Sequence, residues 1–234
     1  MKTRLILLYF ISILALAGRL NAQQETAIAT DSLTKTNIYG LRVGVDLSKL
    51  ARTAFEDGFT GFEIQADFRF SNRFWAALEF GNEERDWDEV NLVSRASGSF
   101  AKIGVDFNAY DNWAGMNNMI YFGLRYGFAT FEQELLAYSI YTTNPTFPSE
   151  LKTDPITFNG LTASWVELIF GVKTEVWNNL FLGVNLQLKR LVSEDRPDNF
   201  DNLIIPGYNR TYDFSEFGAG YGMTVSYLIP IFKK

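Results

Sequence analysis

The chain contains no cysteine and no histidine among its 234 residues. Without cysteine there can be no disulfide, no thiolate metal site and no lipid attachment at a lipoprotein cysteine. Without histidine the commonest general base is missing, so catalysis would have to depend on carboxylates or lysines. The formal net charge of −6 disfavours nucleic acid as a partner. We therefore expect no enzyme activity, no cofactor, no metal site and no nucleic-acid binding.

Long hydrophobic runs are also scarce, and the longest lies near the N-terminus. Lys2 and Arg4 precede an apolar run over residues 5–17, which is shorter than the roughly 20 residues that cross a bilayer. A basic start, a short apolar run and a small residue at Ala22 are typical of a secretory signal peptide. The sequence therefore predicts a signal peptide over residues 1–22 and export from the cytoplasm.

The exported part would be more acidic than the whole chain. Removing the signal takes away three basic residues and no acidic one, which moves the net charge from −6 to −9. Residues 23–36 are polar and are interpreted as a periplasmic lead-in, and residues 37–234 have the length of one domain.

The C-terminal part shows the clearest pattern in the chain, because every second residue from Phe217 to Ile231 is apolar. This is the period of a β-strand with one apolar face. The same alternation recurs in eight segments, near 37–48, 60–70, 74–83, 96–108, 118–131, 162–177, 180–193 and 214–232. Behind an export signal, this pattern predicts an all-β fold, an eight-stranded antiparallel up-and-down transmembrane β-barrel.

Periodicity alone does not decide which face of the strands points outward. The face opposite the apolar one is rich in glycine, at positions Gly40, Gly44, Gly104, Gly123, Gly127, Gly171, Gly183, Gly218, Gly220 and Gly222. Glycine weakens a strand, so its abundance favours a crowded interior on that side and lipid on the other. The alternative is a soluble barrel whose apolar face lines a ligand cavity.

The glycine-rich face also carries cations and carboxylates in similar numbers. The lumen of an eight-stranded barrel is only wide enough for side chains, and charges buried there need partners. A short turn at 177–179 would place Glu167 opposite Lys189 on this face. We expect an ion network that plugs the lumen, formed by Arg42, Asp46, Glu63, Asp67, Arg69, Glu79, Lys102, Asp106, Arg125, Glu167, Lys173, Glu175, Lys189 and Glu216.

Long connections alternate with short ones, as external loops alternate with periplasmic turns in such barrels. The long segments are 49–59, 84–95, 132–161 and 194–213. Loops of this length are usually functional or disordered, and exposed aromatic residues favour contact with a partner. The segment 132–161 is therefore the candidate partner-binding loop, with Leu135, Leu136, Tyr138, Tyr141, Phe147 and Phe158 as its apolar residues. The alternative is that it folds over the mouth of the barrel.

In the last predicted strand of the chain, Gly222, Val225 and Tyr227 look like the C-terminal signal that the barrel-assembly machinery binds. The chain resembles the small outer-membrane barrels of the OmpA/OmpX type, and more narrowly the uncharacterised Bacteroidota barrel families of unknown function. The resemblance implies a place in the cell outer membrane, among its lipid and lipopolysaccharide, and biogenesis by that machinery. Enzymes of similar fold use a histidine base, which this chain lacks.

These observations predict a non-enzymatic integral outer-membrane barrel with a structural or partner-binding role. Another outer-membrane protein is the expected kind of partner. One alternative is a narrow channel for small solutes, and another is the soluble ligand-binding barrel.

Overall fold

The computed structural model describes residues 38–111, 117–139, 151–198, 200–211 and 215–233. The predicted signal peptide and the predicted lead-in lie outside these residues. No helix within them is long and apolar enough to cross a membrane. The elements, in chain order, are β1 (Ile38–Asp46), α1 (Leu47–Phe55), β2 (Phe59–Arg69), β3 (Phe74–Glu89), β4 (Leu92–Asn108), β5 (Met119–Ser139), β6 (Leu151–Lys152), β7 (Ile156–Trp177), β8 (Leu180–Glu194), β9 (Ile204–Ile205), β10 (Asn209–Arg210) and β11 (Phe217–Lys233).

Eight strands pair in a closed ring, and every pair is antiparallel. The order around the ring is β1–β2–β3–β4–β5–β7–β8–β11, and β11 returns to β1. The two-residue β6 pairs with the end of β5, and β9 pairs with β10 in a separate small hairpin. The predicted eight-stranded antiparallel up-and-down barrel is therefore confirmed.

The two faces of the strands differ as the alternation predicts. Along β5 the side chain of Leu124 is 54% exposed, whereas that of its neighbour Arg125 is 3% exposed. The same contrast separates Leu186 from Gln187 on β8. An apolar exterior around a charged interior is the arrangement of a transmembrane barrel and the reverse of a soluble one.

One residue departs from the alternation at the start of β1. The period of two predicts an outward Tyr39, but this side chain is buried and its hydroxyl donates to Asn72 Oδ1 over 3.0 Å. The register of β1 with β11 shifts between Tyr39 and Gly40. Beyond such a bulge, the side chains point to the opposite face of the strand from the one that the alternation predicts.

Four strands continue well beyond the apolar belt, which corrects the predicted loops at 84–95 and 132–161. β3 and β4 pair up to Glu89 and Leu92, and β5 and β7 pair up to Leu135 and Ile156. The outward residues here are polar, for example Glu84, so the apolar alternation stops while the backbone pairing continues. We call residues 82–89 of β3, 92–99 of β4, 130–139 of β5 and 156–162 of β7 the extension.

The predicted loop 194–213 is also largely packed, and we call its residues 200–211 the cap. Leu203 and Ile205 are fully buried, and the ring of Tyr208 packs on that of Trp165 with centroids 5.9 Å apart. They join one apolar cluster with strand residues such as Phe131. The cap therefore gives the upper end of the barrel a hydrophobic core of its own.

We predict that the cap stabilises the barrel. Leu203→Ala should lower the free energy of unfolding by about 2–5 kcal/mol, because it leaves a cavity among fully packed side chains. Urea unfolding in detergent micelles measures this. The control is Val90→Ala at the β3–β4 turn, where the side chain is 96% exposed and little change is expected. Equal midpoints for both variants would show that the cap is not part of the folded core.

The charged lumen as candidate functional site

The lower lumen is built around Arg42, on the inward face of β1. Its guanidinium lies between the rings of Trp75 and Phe181, at 4.3 and 4.6 Å from their centroids. Arg42 Nε is 2.9 Å from an oxygen of Asp67, an ion pair whose angle is too bent for a hydrogen bond. Lys173 Nζ donates to the other oxygen of Asp67 over 2.5 Å. One carboxylate thus balances two buried cations.

The middle of the lumen holds a chain of ion pairs that crosses from strand to strand. Arg125 Nε donates to Glu79 over 3.0 Å, and its Nη1 is 2.8 Å from Asp106. Lys102 Nζ lies 3.1 Å from Glu79 and 3.5 Å from Glu167. All five side chains are buried. In a space without bulk water each of these charges depends on its neighbours for stabilisation.

Glu167 connects the middle of the lumen to its upper part. It pairs in register with Lys189, as the short turn predicts, and lies 3.5 Å from the Lys189 amine. Its carboxylate also accepts the indole N–H of Trp165 over 2.7 Å. Gly127 leaves the room for this indole, because a Cβ at that position would overlap the ring.

The upper lumen is held by Lys49 and Glu83, which are not among the predicted network residues. Lys49 extends inward from α1 and pairs with Glu83 and with Glu63, the latter at 2.9 Å. Glu83 also accepts the backbone N–H of Gly207 in the cap over 2.8 Å. The predicted loop 49–59 includes Lys49, but the structure places this lysine in α1. The period of two cannot indicate a lysine that a helix directs into the lumen.

The cap itself is tied to the lumen by polar contacts. Lys189 Nζ donates to the carbonyl of Gly207 over 2.6 Å, and the Tyr208 hydroxyl donates to the carbonyl of Glu216 over 2.7 Å. Burial raises the pKa of the Tyr208 phenol to about 12, so it keeps its proton at neutral pH. Apolar packing and polar contacts thus hold the cap in the mouth of the barrel.

The structure places twelve of the fourteen predicted network residues in buried positions. Asp46 is among them, but its carboxylate accepts the N–H of Ser48 and caps α1. Arg69 is also buried and donates to the carbonyl of Asn72 in the β2–β3 turn. The two remaining residues are Glu175 and Glu216.

Glu175 and Glu216 lie apart from the network. Glu175 is half-buried at the lower end of β7 and accepts the backbone N–H of Asn179. Glu216 is exposed and lies 3.4 Å from the exposed Arg190, so its predicted lumen position is corrected. It precedes β11, which begins at Phe217, and the alternation of that strand does not extend to it.

The candidate partner-binding residues are also distributed differently from the prediction. Leu135, Leu136 and Tyr138 belong to β5 and Phe158 to β7, so none of these is a loop residue. Leu135 is buried against the cap, and Phe158 stacks on Phe200 with centroids 5.5 Å apart. Tyr141 and Phe147 lie outside the described residues. Leu135, Tyr138 and Phe158 of this set therefore pack in or against the apolar cluster that contains the cap.

The buried charges of the lumen are paired with one another. Among the described residues there is no group of three or more carboxylates placed to hold a metal ion. The buried carboxylates are instead matched by lysine and arginine side chains at distances of about 3 Å. Such an arrangement can cross-link the barrel wall and obstruct the lumen.

We predict that Glu167 is essential for stability. Glu167→Gln should lower the free energy of unfolding by about 3–5 kcal/mol, since it leaves Lys102 and Lys189 without a shared carboxylate. The matched control, Glu216→Gln, breaks an exposed pair and should cost no more than about 1 kcal/mol. Urea unfolding of both proteins in the same micelles makes the comparison. A small effect at Glu167 would mean that water, and not ion pairing, stabilises this part of the lumen.

Comparison with known proteins places the chain in a family. No curated protein matches its sequence. Among solved structures, it is similar to Ail, the attachment invasion locus protein of Yersinia pestis, with a TM-score of 0.38, 10% identity and coverage of 81% of this chain and 96% of that one. It is also similar to CarO2 of Acinetobacter baumannii, with a TM-score of 0.41, 11% identity and coverage of 83% and 99%. A family model matches residues 4–234, so the chain belongs to the family described as Domain of unknown function (DUF6048).

Proposed function

We propose that this protein is a non-enzymatic integral barrel of the outer membrane, with a closed lumen and a partner-binding surface on its extension. The observation that carries the proposal is the run of buried ion pairs from Arg42 to Lys49, beneath a packed cap. A barrel closed in this way is suited to anchoring an external surface in the membrane. It is poorly suited to passing solutes.

The energetics of the lumen support closure. A solute path through the middle would have to separate Arg125 from Glu79 and Asp106, or Lys102 from Glu167. Leaving one member of a buried pair uncompensated costs about 3–5 kcal/mol. Above these pairs, the cap would also have to withdraw Leu203 from its apolar cluster.

The extension supports the partner-binding part of the proposal. The outer face of the extension is formed by paired strands. It carries a shallow polar depression lined by residues such as Asn82, Ser99 and Thr130. Arg95 and Asp86 on the same hairpin form an ion pair with 2.6 Å between nitrogen and oxygen. A rigid polar surface loses little conformational entropy when it binds a partner. Another envelope protein or a surface glycan would meet this face first.

The topology can be tested by labelling, because the chain lacks cysteine. Val90→Cys, at the tip of the β3–β4 hairpin, should react with a membrane-impermeant maleimide on intact cells. Asn178→Cys, in the β7–β8 turn, should react only after the outer membrane is permeabilised. A mass shift on a gel detects the labelling of each variant. The reverse pattern would place the extension in the periplasm and remove the surface role.

The closed lumen predicts the absence of a channel. The full-length protein in planar lipid bilayers should give no steady conductance at either polarity, whereas a porin in the same bilayers gives stable current steps. Folded protein is verified beforehand by its heat-modifiable mobility on a gel. Reproducible single-channel steps that grow with salt concentration would favour the narrow channel for small solutes instead.

A further inference from the structure

The outer face of the extension carries short polar side chains in rows that run from strand to strand. In the row nearest the apolar belt, Asn82 of β3 pairs with Ser99 of β4, and Ser99 pairs with Thr130 of β5. Asn82 Nδ2 donates to Ser99 Oγ over 3.1 Å. The next outward side chains toward the membrane are Phe80 and Phe128, which are apolar and exposed. This row therefore lies where the apolar belt ends and the polar surface begins.

A second row lies above the first. Glu84 of β3 pairs with Ser97 of β4, and Ser97 pairs with Glu132 of β5. The Ser97 hydroxyl donates to Glu132 Oε1 over 3.1 Å. This hydrogen bond and the one between Asn82 and Ser99 are both exposed to solvent. Polar groups held in this way can exchange their partner for a ligand at little net cost.

A bulge lies at the β7 end of the upper row. The register of β5 with β7 shifts between Phe131 and Gln133, so residues 159 and 160 of β7 together face Glu132. Gly160 has a φ of +72°, the left-handed conformation that favours glycine. A Cβ at Gly160 would have no atom within 4 Å, because this position faces open space. The bulge therefore leaves room beside Glu132, as bulges commonly do next to functional sites.

The two rows and the bulge form the depression on the outer face of the extension, which has a volume of about 530 Å³. Its floor includes the backbone of Gly98 and of Phe131, since the side chain of Phe131 is buried in the cluster that contains the cap. The side chains around this floor are amides, hydroxyls and carboxylates, namely those of Asn82, Glu84, Ser97, Ser99, Thr130, Glu132 and Asn159. Because these side chains are short, a ligand can approach the sheet closely.

The charge of the depression disfavours several kinds of ligand. Over the part of the chain that the structure describes, its lining contains Glu84 and Glu132 and no lysine or arginine. A phosphate or an acidic glycan would meet two like charges without a cation. An apolar ligand would find no exposed apolar side chain in this lining. The described residues also contain no group of three or more carboxylates placed for a metal ion.

An uncharged sugar chain matches the groups that are present. A sugar hydroxyl both donates and accepts, and the depression presents amide donors, hydroxyls that do both and carboxylate acceptors. Hydrogen bonds from a hydroxyl to a carboxylate are stronger than those between neutral groups. Glu84 also lies 3.7 Å from Arg95, which is outside the lining. Part of its charge is thus already balanced, and this favours a neutral ligand over a basic one.

We propose that the depression binds an uncharged glycan of the cell surface. This inference rests on the proposed function, because it names the class of partner that the external extension binds. Sugar hydroxyls accept from the Asn82 amide and donate to the carboxylates of Glu84 and Glu132. The open space at Gly160 lets the sugar chain continue past Glu132 toward β7.

Biolayer interferometry of the full chain tests this proposal, in a zwitterionic detergent whose head group contains no sugar. The immobilised probes are dextran, mannan and galactan as uncharged glycans, heparin as an acidic one and polylysine as a basic one. The wild type should bind at least one uncharged glycan and not heparin. Ser99→Trp fills the depression from an exposed position and should weaken this binding about tenfold, the factor for about two lost hydrogen bonds. The matched control, Thr157→Trp, changes an exposed residue of β7 outside the depression and should bind like the wild type.

A second variant covers the case in which Ser99→Trp does not fold. Glu84→Gln/Glu132→Gln keeps the shape of both side chains but replaces their charged acceptors with neutral ones, so it should also weaken binding about tenfold. Unchanged binding in this variant would overturn the proposal. Binding of polylysine without any uncharged glycan would replace the glycan with a basic protein segment, and binding of heparin alone would refute the assignment to a neutral ligand.

The binding assay uses purified protein, so its result is independent of the topology. If no uncharged glycan binds while Val90→Cys is labelled on intact cells, the glycan assignment fails and the external position of the extension stands. If Val90→Cys is labelled only after permeabilisation, the proposed function fails whichever probe the protein binds.

Discussion

The fold depends on one constraint, that a lipid-facing barrel of eight strands has no place for charge except its own narrow lumen. The lumen admits side chains and little water, so each buried cation requires a carboxylate within reach. Asp67 pairs with Arg42 and Lys173, and Glu79 pairs with Arg125 and Lys102. Glu167 pairs with Lys102 and Lys189. These pairs link strands that face one another across the lumen.

The same constraint explains the upper end of the molecule. Beyond the apolar belt, β3, β4, β5 and β7 continue into water, where their outer faces are polar and their inner faces remain apolar. An apolar inner face without lipid or a partner would be exposed, and the cap covers it with Leu203, Ile205 and Tyr208. A second core therefore lies above the ionic one, and the cap that completes it also receives contacts from Lys189 and Glu83.

The early end of β1 leaves part of two neighbouring strands without a β-strand partner. A β-barrel abolishes strand edges by closing, and a missing stretch of strand restores two of them. Here Asp46 ends the strand, caps α1 and accepts from Met223 on the facing edge. The helix then places Lys49 and Arg52 beside the wall, where they pair with Glu63, Glu83 and Glu56. A polar cavity lies between this helix, β11 and the cap.

The sequence by itself determined the number of strands, their inward and outward faces and most of the charged residues of the lumen, because a period of two is a local property and one apolar face is required by lipid. It also determined the register of Glu167 with Lys189, since the short turn at 177–179 leaves one pairing. Only the tertiary structure decided that Lys49 enters the lumen from a helix, that Leu135 and Phe158 hold the cap and that Glu216 stays outside. Those positions depend on where strands end and how connections fold back, and neither is encoded in an alternation that stops at the edge of the lipid belt.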